Sequence, residues 1–175
     1  TFPDERRVGL VPGNIARLLK ADLQVLVEAG AGEAAGFDDA KYTEQGGQIV
    51  QDRGALAEAD VLVQVRTLGA NPQQGKEDLS LLRKGQVVLG MCDPLGNPQA
   101  IADLAETGIS LFALEMVPRI TRAQSMDVLS SMATIAGYRA VLLAATELPK
   151  MFPMLMTAAG TLSAARAFVI GAGVA

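Results

Sequence analysis

Short apolar runs that alternate with helix-like segments constrain the fold of this 175-residue chain more than any other feature. Four runs, each five or six residues long and rich in Val, Leu or Ile, have the length and composition of β-strands. They are residues 23–28, 60–65, 86–90 and 109–113. Strands that are apolar along their whole length are buried on both faces, which is typical of parallel sheets. The pattern therefore predicts an α/β fold in which helices flank a parallel sheet.

Helix-like segments fill the intervals, and a much longer one follows the last run. The shorter segments are residues 14–19, 38–45, 51–58, 79–83 and 98–107. Residues 124–148 contain no proline and would span roughly 37 Å as a helix. Because apolar residues cover nearly every face of it, we expect this helix to be largely buried and to bridge two domains. The chain has no uninterrupted run of about 18 apolar residues, so we predict no transmembrane helix.

The pattern after the long helix predicts the start of a second α/β domain. Residues 164–170 have the composition of a strand, and Gly-Ala-Gly follows them. The expected organisation is a first α/β subdomain at residues 1–128, a linking helix and loop at 129–160, and the first strand and glycine turn of a truncated second subdomain at 161–175. We expect the two subdomains to separate within the long helix, near Gly137. A chain that stops directly after a strand and a tight turn is expected to be a fragment.

The composition excludes several kinds of site. The chain has no histidine and a single cysteine, Cys92. This excludes histidine-based acid–base catalysis, serine-type triads, almost every zinc site and any cysteine cluster, so we expect no metal. The formal net charge is −4 without a basic stripe, so we expect no nucleic-acid partner.

The glycine turn at residues 171–175 has the start of a dinucleotide-binding pattern. Gly171 and Gly173 match the first two glycines of G-x-G-x-x-G, and the third would fall at position 176. In that pattern the first glycine makes a tight turn, the second lets a pyrophosphate approach the backbone, and a helix start holds the phosphates. Taken alone, the match is equally compatible with a structural turn.

Polar residues before the long helix form a second candidate site. Arg119, Gln124 and Asp127 combine fixed donors, an amide and a carboxylate, a set that could bind a carboxamide such as that of nicotinamide. On spacing alone we favour a structural interpretation, in which Thr121 and Gln124 form a capping box and Asp127 lies in the first helical turn. The two interpretations are compatible. Arg6 and Arg7 could likewise hold a carboxylate or phosphate, although a solvated charged loop is favoured there.

Several segments together resemble one family, the proton-translocating nicotinamide nucleotide transhydrogenases. The matching segments are residues 5–12, 28–32, 118–131, 136–140 and 152–173. The run PRITRAQSMDVLSS at residues 118–131 is highly specific, whereas ERRV is shared with alanine dehydrogenases. The resemblance points to the NAD(H)-binding domain I of the alpha subunit. It implies two Rossmann-like α/β subdomains with NAD(H) in the cleft between them.

The resemblance also implies roles for individual residues. The loop with Arg119, Gln124 and Asp127 would reach over the nicotinamide, and Ser130 would contact the same end of the cofactor. Gly171, Gly173 and Val174 would form the phosphate-binding turn. The implied reaction passes hydride directly from NADH to NADP⁺. Because such a transfer requires apposition rather than an acid or base, a chain without histidine can be catalytic, with Gln124 as the candidate catalytic residue.

The resemblance implies partners and a location as well. NADP(H) would be bound by a partner domain, and the transfer would be coupled to proton translocation by membrane-spanning partner subunits. The chain would form a homodimer and lie at the cytoplasmic face of the plasma membrane through those partners.

Departures from the family pattern leave two alternatives open. Gln64-Val65-Arg66 stands where the family usually has a lysine, the strand that normally precedes ERRV is missing, and so is most of the nucleotide subdomain. We therefore expect the chain alone to bind NAD poorly and to be inactive. One alternative is an alanine dehydrogenase-like oxidoreductase, disfavoured because that chemistry uses a histidine and a lysine. The other is a non-catalytic fragment that binds a partner subunit.

Overall fold

The computed structural model describes residues 2–175 as two compact units, one ending at Val117 and the other comprising Pro118–Ala175. The strands of the first unit are β1 (Leu26–Glu28), β2 (Gln48–Val50), β3 (Val61–Arg66), β4 (Val87–Met91) and β5 (Ser110–Ala113). All pairings are parallel, in the orders β1–β2 and β3–β4–β5. Each of the four predicted runs overlaps a strand, so the parallel α/β architecture is confirmed. The short strand β2 was missed.

One helix precedes β1 and four others connect the strands. They are α1 (Ile15–Leu19), α2 (Asp39–Glu44), α3 (Arg53–Ala57), α4 (Gly75–Asp78) and α5 (Pro98–Glu106). Side-chain caps begin two of them: Asp38 accepts from the Lys41 backbone N–H and Asp52 accepts from that of Gly54, which is the usual role of Asp at this position. The helix predicted at residues 79–83 is wrong, because α4 ends before it. Leu79 and Leu82 lie in the segment after α4 and pack on the core from there, which explains their helix-like spacing.

Two buried clusters form the core of the first unit. Ile15, Val25, Val27 and Tyr42 pack together around β1, α1 and α2. Leu68 packs with Ala100 and Leu104 of α5 beneath the second sheet. Each sheet therefore has its own core.

A cleft of about 1010 Å³ is lined by residues of both β1 and β3. Among residues 2–175, β1 pairs with β2 alone and β3 pairs with β4 alone, so each has one edge without a ladder partner. Val61 and Val63 of β3 are each 49% exposed, although strands of parallel sheets are normally covered on both faces. The predicted parallel sheet thus consists of a two-stranded and a three-stranded piece.

The second unit is built on one long helix, α6 (Val128–Glu147), which follows a 3₁₀-helix at Thr121–Met126. A short antiparallel hairpin of β6 (Leu155–Thr157) and β7 (Gly160–Leu162) comes after it. The long helix is confirmed, but it begins four residues later than predicted. The expectation that it is buried is wrong for the described chain, since α6 has no buried residue. Only a hairpin and coil accompany it in this unit, too little to cover a helix that is apolar all round.

By length and composition α6 is also apolar enough to cross a membrane, with a mean hydropathy of 1.5. Core helices of soluble proteins meet the same criterion.

The strand predicted at residues 164–170 is not formed. These residues have no regular secondary structure, and Phe168 and Ile170 are each 91% exposed. A strand requires a neighbouring strand to satisfy its backbone groups. The described part of the second unit supplies none here, so the sequence pattern alone does not produce the strand.

Tyr42 provides a test of the first core. Its ring is fully buried and its hydroxyl donates to the Leu10 carbonyl oxygen at 3.0 Å. Tyr42→Phe should lower the free energy of unfolding by about 1–2 kcal/mol, because the Leu10 carbonyl loses its donor. Urea unfolding followed by far-UV circular dichroism would measure this. Tyr138→Phe is the matched control, since Tyr138 is 69% exposed and should change by less than about 0.5 kcal/mol. Equal effects of the two variants on the free energy of unfolding would contradict a stabilising role of the Tyr42–Leu10 hydrogen bond.

Candidate functional site

Asp127 caps the N-terminus of α6 through both carboxylate oxygens. Its Oδ1 accepts from the Ser130 backbone N–H at 2.9 Å, and its Oδ2 accepts from the Ser130 hydroxyl at 2.6 Å. The capping box predicted at Thr121 and Gln124 is therefore wrong. Those residues lie within the 3₁₀-helix, whose own N-cap, Ile120, makes no side-chain capping bond. The structure thus joins two of the predicted site residues, Asp127 and Ser130, directly.

The environment of Asp127 keeps its carboxylate charged. The hydrogen bond from the Ser130 hydroxyl lowers the pKa of Asp127, and the Ser130 backbone N–H and the positive charge of Arg119 act in the same direction. Donors to the ionised form of a carboxylic acid always favour that form. Asp127 is consequently an anion at neutral pH, and it can accept hydrogen bonds from a ligand.

Arg119 and Gln124 lie on the loop that leads into α6, and their side chains are exposed. Backbone hydrogen bonds fix this loop: Ala123 N–H donates to Ile120 O at 2.9 Å and Asp127 N–H donates to Gln124 O at 3.2 Å. Ala123 is buried beneath it. Within Pro118–Ala175 the guanidinium of Arg119 and the side-chain amide of Gln124 make no hydrogen bond. The loop is therefore held by its backbone and leaves both side chains available to a ligand.

The glycine turn lies against α6. The Val174 carbonyl oxygen is 3.3 Å from the hydroxyl of Thr134, and Gly137 faces the backbone of Ala175. Gly171 has a φ of +96°, a conformation that favours glycine. A Cβ on Gly173 would meet nothing within 4 Å, so the packing of this chain does not require glycine there. The unit thus brings Val174 to the same helix as Asp127 and Ser130, while Gly171 and Gly173 make no described contact with those two residues.

Contacts of Thr134 and Gly137 with residues 174–175 were not predicted, although Gly137 was expected to lie near a domain boundary. Asp127, Ser130, Thr134 and Gly137 are spaced i, i+3, i+7 and i+10, which places them on one face of a helix. That spacing was visible in the sequence. The contact with residues 174–175 was not, since it joins parts of the chain about 40 residues apart.

In the first unit, the ERR segment forms an ion cluster instead of a solvated loop. Arg7 binds Glu5 through two nitrogens, at 2.7 and 2.6 Å, and Arg66 of β3 binds the same carboxylate at 2.9 Å. The ring of Phe2 lies 4.3 Å from the Arg66 guanidinium, a distance at which cation–π attraction operates. The neighbouring Arg6 is exposed. The cluster ties the N-terminal segment to the end of β3.

The two arginines strongly favour the charged form of Glu5. The Arg7 hydrogen bonds are the main cause that lowers the pKa of Glu5 from 4.5 to about 2, against the opposing effect of burial. Reciprocally, Glu5 raises the pKa of Arg7.

Cys92 is the single cysteine of the chain and is fully buried, and this burial raises the pKa of its thiol. It therefore remains a protonated, unreactive thiol.

Comparison with protein families identifies the relatives of this chain. Residues 1–136 match the family model described as Alanine dehydrogenase/PNT, N-terminal domain, and residues 140–175 match Alanine dehydrogenase/PNT, C-terminal domain. The chain belongs to the alanine dehydrogenase/PNT family. The two family models meet within α6, whereas the compact units separate at Val117. The boundaries at residues 128 and 160 remain a prediction.

Curated relatives fall into two groups. The chain is 40% identical over 174 residues to an NAD(P) transhydrogenase alpha subunit of Rhodospirillum rubrum, covering 99% of this chain and 45% of that protein. It is also 40% identical to NAD(P) transhydrogenase subunit alpha of Cereibacter sphaeroides, covering 99% and 32%. The alanine dehydrogenase of Bacillus subtilis is 27% identical, with 98% and 44% covered. The chain thus spans less than half the length of these relatives.

Among solved structures, too, a transhydrogenase is more similar to this chain than an alanine dehydrogenase is. The transhydrogenase from Sinorhizobium meliloti has a TM-score of 0.89 and 44% identity, covering 99% of this chain and 50% of that one. An L-alanine dehydrogenase has a TM-score of 0.72 and 27% identity, covering 82% and 38%. The resemblance to transhydrogenase alpha domain I and the Rossmann-like α/β fold are both confirmed.

The depressed pKa of Glu5 predicts a pH-dependent contribution to stability. Its folded-state pKa of about 2 lies below the ordinary 4.5, so the contribution is fully present above pH 4.5 and is lost as pH falls toward 2. Glu5→Gln should cost about 1.5–3 kcal/mol at pH 7, as for a hydrogen bond to a charged group. The difference from wild type should vanish near pH 2. Urea unfolding across that range would show it.

Glu106→Gln serves as the control, because Glu106 is exposed at the end of α5 and makes no ion pair among the described residues. It should differ from wild type by less than about 0.5 kcal/mol throughout. A constant Glu5→Gln deficit between pH 7 and 2 would show that the cluster is not what stabilises this charge.

Proposed function

We propose that this chain is the NAD(H)-binding part of a proton-translocating NAD(P) transhydrogenase. In the proposed reaction, hydride passes directly from NADH held here to NADP⁺ held by a partner domain. The observation that carries the proposal is the geometry at the start of α6. There the Asp127 carboxylate is fixed by two hydrogen bonds from Ser130. The preceding loop presents the side chains of Arg119 and Gln124, which make no hydrogen bond within the second unit. The identity with transhydrogenase alpha subunits supports it.

The donor set of the loop fits the nicotinamide end of the cofactor. A carboxamide has an oxygen that needs a donor and an NH₂ group that needs acceptors. Gln124 offers both groups on one side chain, Arg119 offers guanidinium donors, and Asp127 offers an ionised acceptor. We assign these three residues and Ser130 to binding and orienting the ring. Gln124 is the proposed catalytic residue, since its amide can fix the carboxamide and so the face from which hydride leaves.

The glycine turn fits the pyrophosphate. Gly171 adopts its φ of +96° at no steric cost. Because nothing of the described chain approaches the Cβ position of Gly173, the close approach of a phosphate is the reason we propose for glycine there. Val174 completes the turn. Bound NADH supplies the hydride, while the chain contributes binding, orientation and exclusion of water.

Amino-acid oxidation is the weaker alternative. In this chain Gln64 and Arg66 of β3 stand where the family usually has a lysine, and both side chains already have partners. Gln64 donates to Asp78 at 3.0 Å, and Arg66 is paired with Glu5. The chain offers no histidine, and its identity to alanine dehydrogenase is lower.

Partners and location follow from the same proposal. We propose NADP(H)-binding and membrane-spanning partner subunits, a homodimer, and a position at the cytoplasmic face of the plasma membrane through those partners. The apolar, exposed surface of α6 supports a role in assembly. The chain alone should bind NAD(H) weakly and be inactive, because the contacts of the second subdomain are then incomplete. The alternative of a non-catalytic subunit-binding fragment predicts no cofactor binding at all.

Arg119→Ala in the full-length protein should raise the NADH dissociation constant about tenfold or more, because charged hydrogen bonds to the cofactor are lost. Titration of NADH fluorescence measures this constant. Arg122→Ala is the matched control, since Arg122 is an exposed arginine of the same segment with no assigned role. Loss of affinity in neither variant, or equally in both, would remove Arg119 from the site.

Gln124→Asn shortens the side chain by one methylene and keeps the amide. It should slow hydride transfer about 100-fold, the scale expected for misplacement by an ångström, while the NADH dissociation constant changes much less. Stopped-flow transfer to an NADP⁺ analogue in the assembled enzyme measures the rate. An unaltered rate would exclude Gln124 from orienting the ring.

A further inference from the structure

One face of α6 connects the start of the helix with the glycine turn. Asp127, Ser130, Thr134 and Gly137 fall within an arc of about 80° at 3.6 residues per turn. The first two form the cap, and the last two face residues 174–175. The same row of small side chains therefore touches both proposed ends of the cofactor site, all inside the second unit.

Thr134 links the two ends by hydrogen bonds. Its hydroxyl oxygen lies 3.1 Å from the Ser130 carbonyl oxygen and 3.3 Å from the Val174 carbonyl oxygen. A threonine hydroxyl has a single proton, so these two carbonyls share one donor. Bonding back to the i−4 carbonyl is common for threonine in helices, but the second acceptor, 40 residues away, is particular to this position.

Gly137 gives the second, independent contact. A Cβ at this position would collide with the backbone carbonyl carbon of Ala175. Glycine inside a helix is less favourable than alanine, so a residue better for the helix would be worse for this contact.

We propose that Thr134 and Gly137 are positioning residues that dock the glycine turn on α6 at a fixed register from the Asp127–Ser130 cap. This inference rests on the proposed function. Seven residues of helix separate Asp127 from Thr134, a rise of about 10 Å. A dinucleotide would contact both the Asp127–Ser130 cap and the glycine turn at once. The second contact is favourable only when the distance between the cap and the turn is fixed. Thr134 and Gly137 hold that spacing without touching the cofactor.

The test compares two threonines of the same helix in the full-length protein. Thr146 donates to the Leu142 carbonyl at 2.9 Å and has no partner outside α6 among the described residues. Thr134→Val should raise the NADH dissociation constant about three- to tenfold, the range for one ordinary hydrogen bond. Thr146→Val should leave it unchanged, and Thr134→Ser should restore it. ADP, which reaches the phosphate turn without the nicotinamide end, should bind all of these proteins with similar affinity.

Gly137→Ala separates positioning from general stability. The helix should become more stable, so the thermal midpoint should not fall, yet NADH should bind more weakly because Ala175 is displaced. Weaker NADH binding with unchanged ADP binding in Thr134→Val, together with this result, supports the proposal. The proposal is overturned if wild type binds NADH but Thr134→Val binds NADH equally well. It is also overturned if Thr134→Val loses affinity for NADH and for ADP to the same extent. If wild type and Thr146→Val also fail to bind NADH, the proposed function itself is wrong and the inference falls with it.

Discussion

The start of α6 depends on one interaction, the double hydrogen bond between the Asp127 carboxylate and Ser130. A helix leaves its first backbone N–H groups without partners, and a capping side chain satisfies one of them. Here the Asp127 cap also holds the Ser130 hydroxyl at 2.6 Å. The same bonds favour the ionised form of the carboxylate and fix its direction. We propose that the same group also accepts a hydrogen bond from the ligand, so that capping and binding do not compete at Asp127.

The backbone of the fold follows closely from the sequence where the pattern is strong. Four apolar runs correspond to β1, β3, β4 and β5, and Asp38 caps α2 as an aspartate at that position should. The two strand predictions that failed have physical causes. Strand β2 has three residues, of which only Ile49 and Val50 are apolar, so it lacks the longer apolar run that indicated β1. The strand predicted at residues 164–170 needs a neighbouring strand that the described chain does not supply.

The site was only partly predictable, because its polar residues are local but its contacts are not. Arg119, Gln124 and Asp127 lie within nine positions, and their donors and acceptors made them candidates from the sequence, whereas Ser130 became a candidate only through the family resemblance. The bonds of Thr134 to Val174 and of Glu5 to Arg66 join residues 40 and 61 positions apart. No local pattern predicts such pairs. The expectation that α6 is buried was also wrong for the described chain, since an apolar helix indicates that a surface is to be covered but not where its cover comes from.

Direct hydride transfer between two nicotinamides needs no protein acid or base, so a chain without histidine can serve it by supplying the geometry. We propose that the segment that leads into α6 holds the nicotinamide. A crystal structure of the full-length protein with NADH would show whether it does. We expect polar atoms of Arg119, Gln124 or Asp127 within about 3.2 Å of the nicotinamide carboxamide, with the pyrophosphate against Gly173. A dihydropyridine ring bound elsewhere, with these side chains still facing solvent, would contradict it.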